Sequence, residues 1–503
     1  MSSRKPIRNF LFWLHTWCGL NIVLYLGALI LSGTLLSLAP EIEALFDSDR
    51  RGSLTRGPLP VGAIYDNILT EWPEARVERI ERGKSTLVAD HTTMVTPWGE
   101  KLLVWTNPQT GEITGLTGLI GFKYVLRIFH DSLLTQHFVG NFLVTITAPI
   151  MAMMMVTGLI SYRRFWRGFF RWPSRDLNAR AYWGAMHRLA ALWSLPFMVI
   201  VVLTSLYFFL GTLGATSYSY PKPDAPAARI KPLPDGFTGG DLQQAVAIAS
   251  SEVPGLEPEM VILPIFPGQA IIVQGQAEAW FVRGRANKVT LDPLDMSVIG
   301  AFQAQELSGV TRIREAADSL HFGIWGGTFT RVLWFLFGAL LTGLCLFGAM
   351  VYARRMTRPT EGHSASALRV VWQGMFPLKW LLPLALIMGL GAGTYKYMSQ
   401  TDRWSRVPAV HTTLQAEGSV LLFARGKMRA GESLPLRVRL QNPAIADVQV
   451  TLSGQDPVTL PLVTDGDWQQ ADFDLTASVG DNPVTIILPD GTELTWQLGQ
   501  PIF

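Results

Sequence analysis

His15, His130, His187 and His321 each stand near one end of a long apolar stretch. Neutral imidazole is a good ligand for haem iron, and its second ring nitrogen then needs a hydrogen-bond partner. The words around these residues recur: Trp13-Leu14-His15 and Ala185-Met186-His187 open the first and third stretches. Phe129-His130-Asp131-Ser132 and Asp318-Ser319-Leu320-His321 lead into the second and fourth. One such histidine alone reads as an interfacial residue. Four in a repeated pattern predict two levels of paired imidazoles, His15 with His187 and His130 with His321, and so a helical membrane protein holding two haems by axial ligation.

Other residues are candidates on weaker grounds. His137 follows His130 by seven residues, about 10 Å further along the same helical face. It is read as an alternative ligand or as part of a proton or iron path; Thr328, at the equivalent offset from His321, offers it no partner. Arg127, Arg188 and Arg331 lie near the histidines, as partners for haem propionates or as ordinary interface anchors. Met151, Met153, Met154 and Met155 point around a helix instead of converging, and are read as packing. Trp193, Tyr207, Trp334 and Phe337 are candidates to line an electron route but are read first as lipid-facing or packing residues, and His91, His363 and His411 as surface residues.

Elements that would position the histidines follow from composition. The 503 residues are 49% hydrophobic and only 16% charged, against roughly 25% charged in soluble proteins. The net charge of +3 and the lack of any basic helix argue against nucleic acid. The two cysteines, Cys18 and Cys345, both fall in apolar stretches, which excludes zinc clusters, iron–sulfur centres and covalent c-type haem. No nucleotide-binding loop or dinucleotide fingerprint occurs, so an electron donor must be external, either quinol or a cytoplasmic reductase.

Uncharged runs long enough to span a bilayer place transmembrane helices at 1–40, 127–163, 187–214 and 319–353, with a shorter fifth at 376–398. Basic residues collect before the first (Arg4, Lys5, Arg8), between the second and third (Arg163 to Arg180), and after the fourth (Arg354, Arg355, Arg358). The positive-inside rule makes those places cytoplasmic. The segments 41–126, 215–318 and 399–503 are then outside, in the periplasm of a Gram-negative host, and 164–186 and 354–375 are cytoplasmic loops.

The segments 41–126 and 215–318 look like copies of one α+β unit. In the first a helix at Val61 to Trp72 precedes strands at 75–80, 85–89 and 101–106. In the second a helix at Asp241 to Val253 precedes strands at 259–264, 270–274, 279–283 and 288–291. Each ends in an Asx-Pro turn, Asn107-Pro108 and Asp292-Pro293. Two halves in one orientation predict an approximate two-fold axis along the membrane normal. Beyond 405, short alternating runs broken by Gly, Pro, Asn and Asp predict an antiparallel β-sandwich.

With these residues in place, the chain from 1 to about 355 resembles the PepSY-associated transmembrane proteins, which include inner-membrane ferric-siderophore reductases. The matching words are Leu-His in the first span, Phe-His-Asp-Ser-Leu-Leu before the second, Met-His-Arg at the third and Leu-His-Phe-Gly-Ile-Trp-Gly-Gly (Leu320 to Gly327) at the fourth. The resemblance implies haem b on these histidines, PepSY-like outer domains and electron transfer to ferric iron outside. The expectation is an inner-membrane di-haem b oxidoreductase that reduces a ferric siderophore and frees Fe(II) for uptake. Its rivals are a haem b quinol oxidoreductase with another acceptor and a non-redox PepSY sensor.

Overall fold

The computed structural model describes residues 4–356 except 74, 97–100, 136, 163–166, 168, 170, 175, 224–231 and 266–267, and beyond them 366–375, 377–380, 383–384, 386–387, 391, 411–415, 418–424, 433–440, 444–452, 456–465, 468–476 and 482–498. The chain opens with α1 (Arg4–Ser37) and a short α2 (Ala39–Phe46), then α3 (Val61–Glu71) and strands β1 (Arg76–Glu81), β2 (Asp90–Val95), β3 (Lys101–Thr106) and β4 (Ile113–Gly118). It continues through α4 (Phe122–Ser132), α5 (His137–Thr145), α6 (Thr147–Ser161) and α7 (Ala179–Thr212). The second half repeats the order with α8 (Gly239–Glu252), β5 (Glu257–Ile262), β6 (Ile271–Gln276), β7 (Lys288–Leu291), β8 (Val298–Phe302), α9 (Gly309–Phe322) and α10 (Gly327–Met356).

Among the described residues four helical stretches are long and apolar enough to cross a membrane: Asn9–Ser37, His137–Ser161, Ala179–Thr212 and Gly327–Met356. Most of the expected fifth span, 376–398, lies outside the described residues. In the bundle α10 packs between α1 and α7, and Ile22, Leu26, Met151, Phe197, Val202, Trp334 and Leu341 form its buried centre. Trp334 and Phe337 are thus packing residues. Polar ties cross between helices where few charges could: Tyr25 donates to the Leu143 carbonyl at 2.8 Å, and Thr212 to Asn141 Oδ1 at 2.8 Å. In lipid such bonds hold helices that have no hydrophobic reason to associate.

Two expected spans are broken near their histidines. Residues 127–163 do not form one helix: Leu133 and Leu134 adopt left-handed φ of 53° and 59°, separating α4 from α5. Burial of Leu133 against Tyr25 and Leu29 offsets the strain of that backbone. Residues 319–353 break likewise, where Gly323 at φ 68° ends α9. Thr330 closes this turn by donating to the Gly323 carbonyl at 2.6 Å and accepting from the Gly326 N–H at 3.0 Å. No run of apolar residues reveals either break.

The two α+β segments are not separate units. β1 and β5 pair antiparallel, with Ile80 opposite Val261, so the strands form one eight-stranded sheet in the order β4-β3-β2-β1-β5-β6-β7-β8. The pairing covers two edges that would otherwise present unpaired backbone groups. On one face α3 and α8 cross so closely that a Cβ on Gly62 would lie 2.6 Å from the Gly239 carbonyl oxygen, and the Gly239 N–H donates to Asp66 at 2.6 Å. Under them, Val77, Ile80, Val261, Val273 and Val289 make one core shared by both halves.

Strand expectations failed where burial and side-chain type disagree. β2 runs through Asp90 and Thr92, polar but fully buried, and the run expected at 85–89 is instead a turn whose Gly83 N–H donates to Asp90 at 2.8 Å. β4 and β8 follow the two Asx-Pro turns as the edge strands of the sheet. The run expected at 279–283 is a loop.

Beyond the bundle lies the short helix α11 (Ala367–Gly374). The C-terminal strands are β9 (His411–Gln415), β10 (Gly418–Ala424), β11 (Ser433–Leu440), β12 (Asp447–Leu452), β13 (Val458–Pro461), β14 (Val463–Asp465), β15 (Trp468–Thr476), β16 (Asn482–Ile487) and β17 (Glu493–Leu498). They form two antiparallel sheets, β14-β15-β11-β10-β9 and β13-β12-β16-β17. Val420, Leu422, Leu436 and Val438 of one meet Val448, Val450, Val484 and Ile486 of the other in a common core.

Candidate functional site: two facing imidazole pairs

The four histidines come together two by two. His15 on α1 faces His187 on α7 with ring centres 6.4 Å apart, and His130 on α4 faces His321 on α9 at 6.3 Å. All four residues are half-buried. Among the described residues, every hydrogen bond they make runs through Nδ1.

Each Nδ1 is anchored by a neighbouring helix. His15 Nδ1–H donates to the Met154 carbonyl at 3.0 Å, with Thr157 Oγ1 at 3.1 Å, and His187 Nδ1–H donates to the Leu344 carbonyl at 3.1 Å. His130 Nδ1–H donates to the Leu29 carbonyl at 3.0 Å, with Ser32 Oγ at 3.1 Å. His321 meets Thr204 Oγ1 at 3.0 Å, and Thr204 passes its own proton to the Ile200 carbonyl at 2.8 Å, so the hydroxyl accepts from the ring. A carbonyl only accepts; the proton therefore resides on Nδ1 and Nε2 keeps its lone pair.

A recurring local device makes room for these bonds. Three of the accepting carbonyls, Leu29, Met154 and Leu344, lie four residues before Gly33, Gly158 and Gly348. A Cβ at those glycines would stand 2.7 Å from His130 Cε1, 3.3 Å from His15 Cε1 and 3.2 Å from His187 Cε1. In a helix the residue at i+4 covers the carbonyl of residue i, so glycine there gives the imidazole most room; a Cβ at Gly33 would force the His130 ring to move, and at Gly158 and Gly348 the rings would have to give slightly. At the fourth place Thr204 spans the same i to i+4 step with its hydroxyl. Ser32 and Thr204 each follow the histidine of their own helix by 17 residues. That matched offset was a readable signal that sequence reasoning missed.

The remaining candidates do not join the pairs. His137 begins α5 beyond the left-handed leucines, so it shares no helical face with His130; its ring is exposed, 3.2 Å from Asp131 Oδ2. Arg331 is buried and committed to Glu41, at 2.7 and 2.5 Å, and to the Ser37 and Lys84 carbonyls. Removing one partner of such a pair would leave a buried charge, which marks Arg331 as a strut between bundle and sheet instead of a propionate partner. Arg127 and Arg188 are exposed, Arg188 lying 5.8 Å over the Tyr162 ring.

His91 is not the surface residue expected of it. It packs 5.2 Å from Trp105, 3.8 Å from Glu81, and its Nδ1 is buried with no partner among the described residues. Burial pushes its pKa down to about 4, against the pull of the Glu81 carboxylate, so the pair is not an ion pair at neutral pH.

A bundle of apolar helices, two facing imidazole pairs and a sheet packed on one end define an integral membrane protein. The chain belongs to the family described as the PepSY-associated TM region, whose model matches residues 12–355. That match covers both pairs and the eight-stranded sheet, and stops before the C-terminal sheets. No curated protein matches the chain.

Proposed function

We propose that this protein is a di-haem b oxidoreductase that carries electrons across the bacterial inner membrane to ferric iron, in a siderophore chelate, on the sheet side. The carrying observation is the pair of imidazole pairs with Nδ1 anchored and Nε2 free. Metal–imidazole bonds of about 2.0–2.1 Å on opposite sides of one metal set ring centres about 6 Å apart, and 6.3 and 6.4 Å fit that spacing. Among the described residues no third His, Cys, Asp or Glu joins either pair. Two imidazoles suit a metal that brings its own equatorial ligands, as haem iron does.

The bound haems would supply one-electron chemistry; the chain's own part is to hold their axial ligands and set their separation. The second pair sits level with Leu29 and Ser32 of α1 and Thr204 of α7, so the levels are about 21–26 Å apart along the helices. His130 reaches that level because its ring folds back against Leu29 and Ser32 of α1. Nδ1 hydrogen bonds to carbonyls raise ligand basicity and lock ring orientation. Fe(III) prefers hard oxygen donors more than Fe(II) does, so reduction loosens an oxygen chelate and frees iron for uptake. The electron donor is external, quinol or a cytoplasmic reductase.

A reduced-minus-oxidised absorption spectrum of the purified protein tests the reading, followed by reoxidation with ferric chelates. We expect haem b bands, with His187→Ala and His321→Ala each leaving about half the haem. Absence of haem after expression with ample supply would leave a non-redox membrane protein. Reducible haem that ferric chelates fail to reoxidise would point to another acceptor.

A further inference from the structure

The loop between β6 and β7 belongs to the sheet domain, yet it presents large aromatic side chains outward. Trp280 is 73% exposed and Phe281 38%. The loop is held firmly: Val282 is buried with Ala286, Ala304 and Leu307, the Arg283 N–H donates to Glu315 at 2.9 Å, and Phe281 is kept at a positive φ of 56°. A strained, pinned backbone that exposes a tryptophan indicates a surface with a use.

The level of this loop can be read from ring contacts. Phe281 lies 5.7 Å from Trp325 in the α9–α10 turn, and Trp325 lies 6.0 Å from Trp334 inside the fourth span. Phe322, Trp325 and Phe329 around that turn are also exposed. Thirty residues of α10 measure about 45 Å, against about 30 Å of hydrocarbon, so its first turns lie at the bilayer boundary. Beside the aromatics stand Arg283, Arg285 and Arg314 with the carboxylates of Glu315 and Asp318, an excess of one positive charge.

We propose that Trp280 and Phe281 insert into the headgroup–acyl boundary of the membrane, with Arg283 at the level of the lipid phosphates, so that the sheet is anchored to the bilayer as well as to the bundle. The occupant is lipid because the patch is continuous with the surface of α10 that lipid already covers. Aromatic rings concentrate at this depth and arginines favour anionic headgroups. The anchor holds the sheet at a set height above the His130–His321 pair. It is independent of whether haem is bound.

The test uses the full chain with Cys18→Ala, Cys345→Ala and Trp280→Cys, carrying a polarity-sensitive fluorophore, in vesicles of phosphatidylcholine and phosphatidylglycerol. Glu71→Cys, on the exposed face of α3, serves as the aqueous reference. The label at 280 should emit to the blue of the label at 71 and lose most of its intensity to nitroxide lipids labelled near the headgroup. In the unlabelled chain, Trp280→Phe should remove part of the nitroxide-quenched tryptophan emission. Water-like, unquenched emission at 280 would overturn the proposal. So would a signal that changes only on adding a redox-inert gallium tris-catecholate, which would assign the patch to a soluble ligand.

Discussion

Each imidazole is oriented by something small at the right step of a neighbouring helix. Gly33→Leu places a side chain where His130 Cε1 lies 2.7 Å from a Cβ position, so the ring must swing away from Leu29. The expected outcome is loss of about half the haem with the helices intact, read by haem content and circular dichroism. Normal haem in Gly33→Leu would mean that the ring tolerates displacement. His137→Ala, by contrast, should keep the full complement, since the ring is exposed and meets Asp131. His91 yields a prediction about pH. Its folded pKa of about 4 lies below the ordinary 6.5, so the unfolded chain binds more protons between those values. Stability from this residue is complete above pH 6.5 and declines toward pH 4, by up to about 3 kcal/mol. His91→Phe should remove that acid dependence, seen as a flatter profile of denaturation midpoint against pH.

At the scale of elements, the halves of the sheet depend on two close approaches. β1 meets β5 over three residue pairs, and α3 crosses α8 where each presents a glycine to the other. Gly239→Val would push a side chain into the Gly62 carbonyl, 2.1 Å from the Cβ position. Such overpacking costs about 1–3 kcal/mol, and here it falls on the seam between halves. Hydrogen exchange in the full chain should show faster exchange at β1 and β5 than in the parent, while the α1 and α7 amides are unchanged. Uniform protection would mean that the seam relaxes without opening. The breaks at Leu133–Leu134 and Gly323 act at the same scale. Each turns the chain so that a histidine ending one helix folds back against the bundle.

For the whole molecule, topology decides the direction of any electron flow. The orientation we propose from the basic linkers and the positive-inside rule has the N-terminus and residue 355 in the cytoplasm and the sheet outside. An alkaline phosphatase reporter, active only outside, should therefore be inactive when fused after Arg355 and active when inserted in the 224–231 segment. Fusion after Phe503 reports on the stretch 376–398: activity there requires a fifth crossing, and inactivity would return the C-terminal sheets to the cytoplasm. An active fusion after Arg355 would reverse the orientation and with it the proposed acceptor side.

By itself the sequence determined the membrane class, four of the five crossing helices expected from it, the fifth falling mostly outside the described residues, the duplication, and the pairing of His15 with His187 and His130 with His321. Hydrophobic run length and repeated words are local and survive without coordinates. Most strands of the C-terminal sheets were legible for the same reason, since alternation of apolar and polar residues follows a sheet with one buried face. Only the tertiary structure decided that the two α+β segments share one sheet, because edge pairing between β1 and β5 depends on distant backbone groups and leaves no pattern in either strand. It also decided the fate of Arg331, whose partner Glu41 lies 290 positions away, and of His91, whose burial comes from neighbours on other strands. The depth of the second histidine pair was settled by left-handed backbone at two leucines. Leucine rarely adopts that conformation, and at Leu133 packing against Tyr25 and Leu29 offsets the local cost.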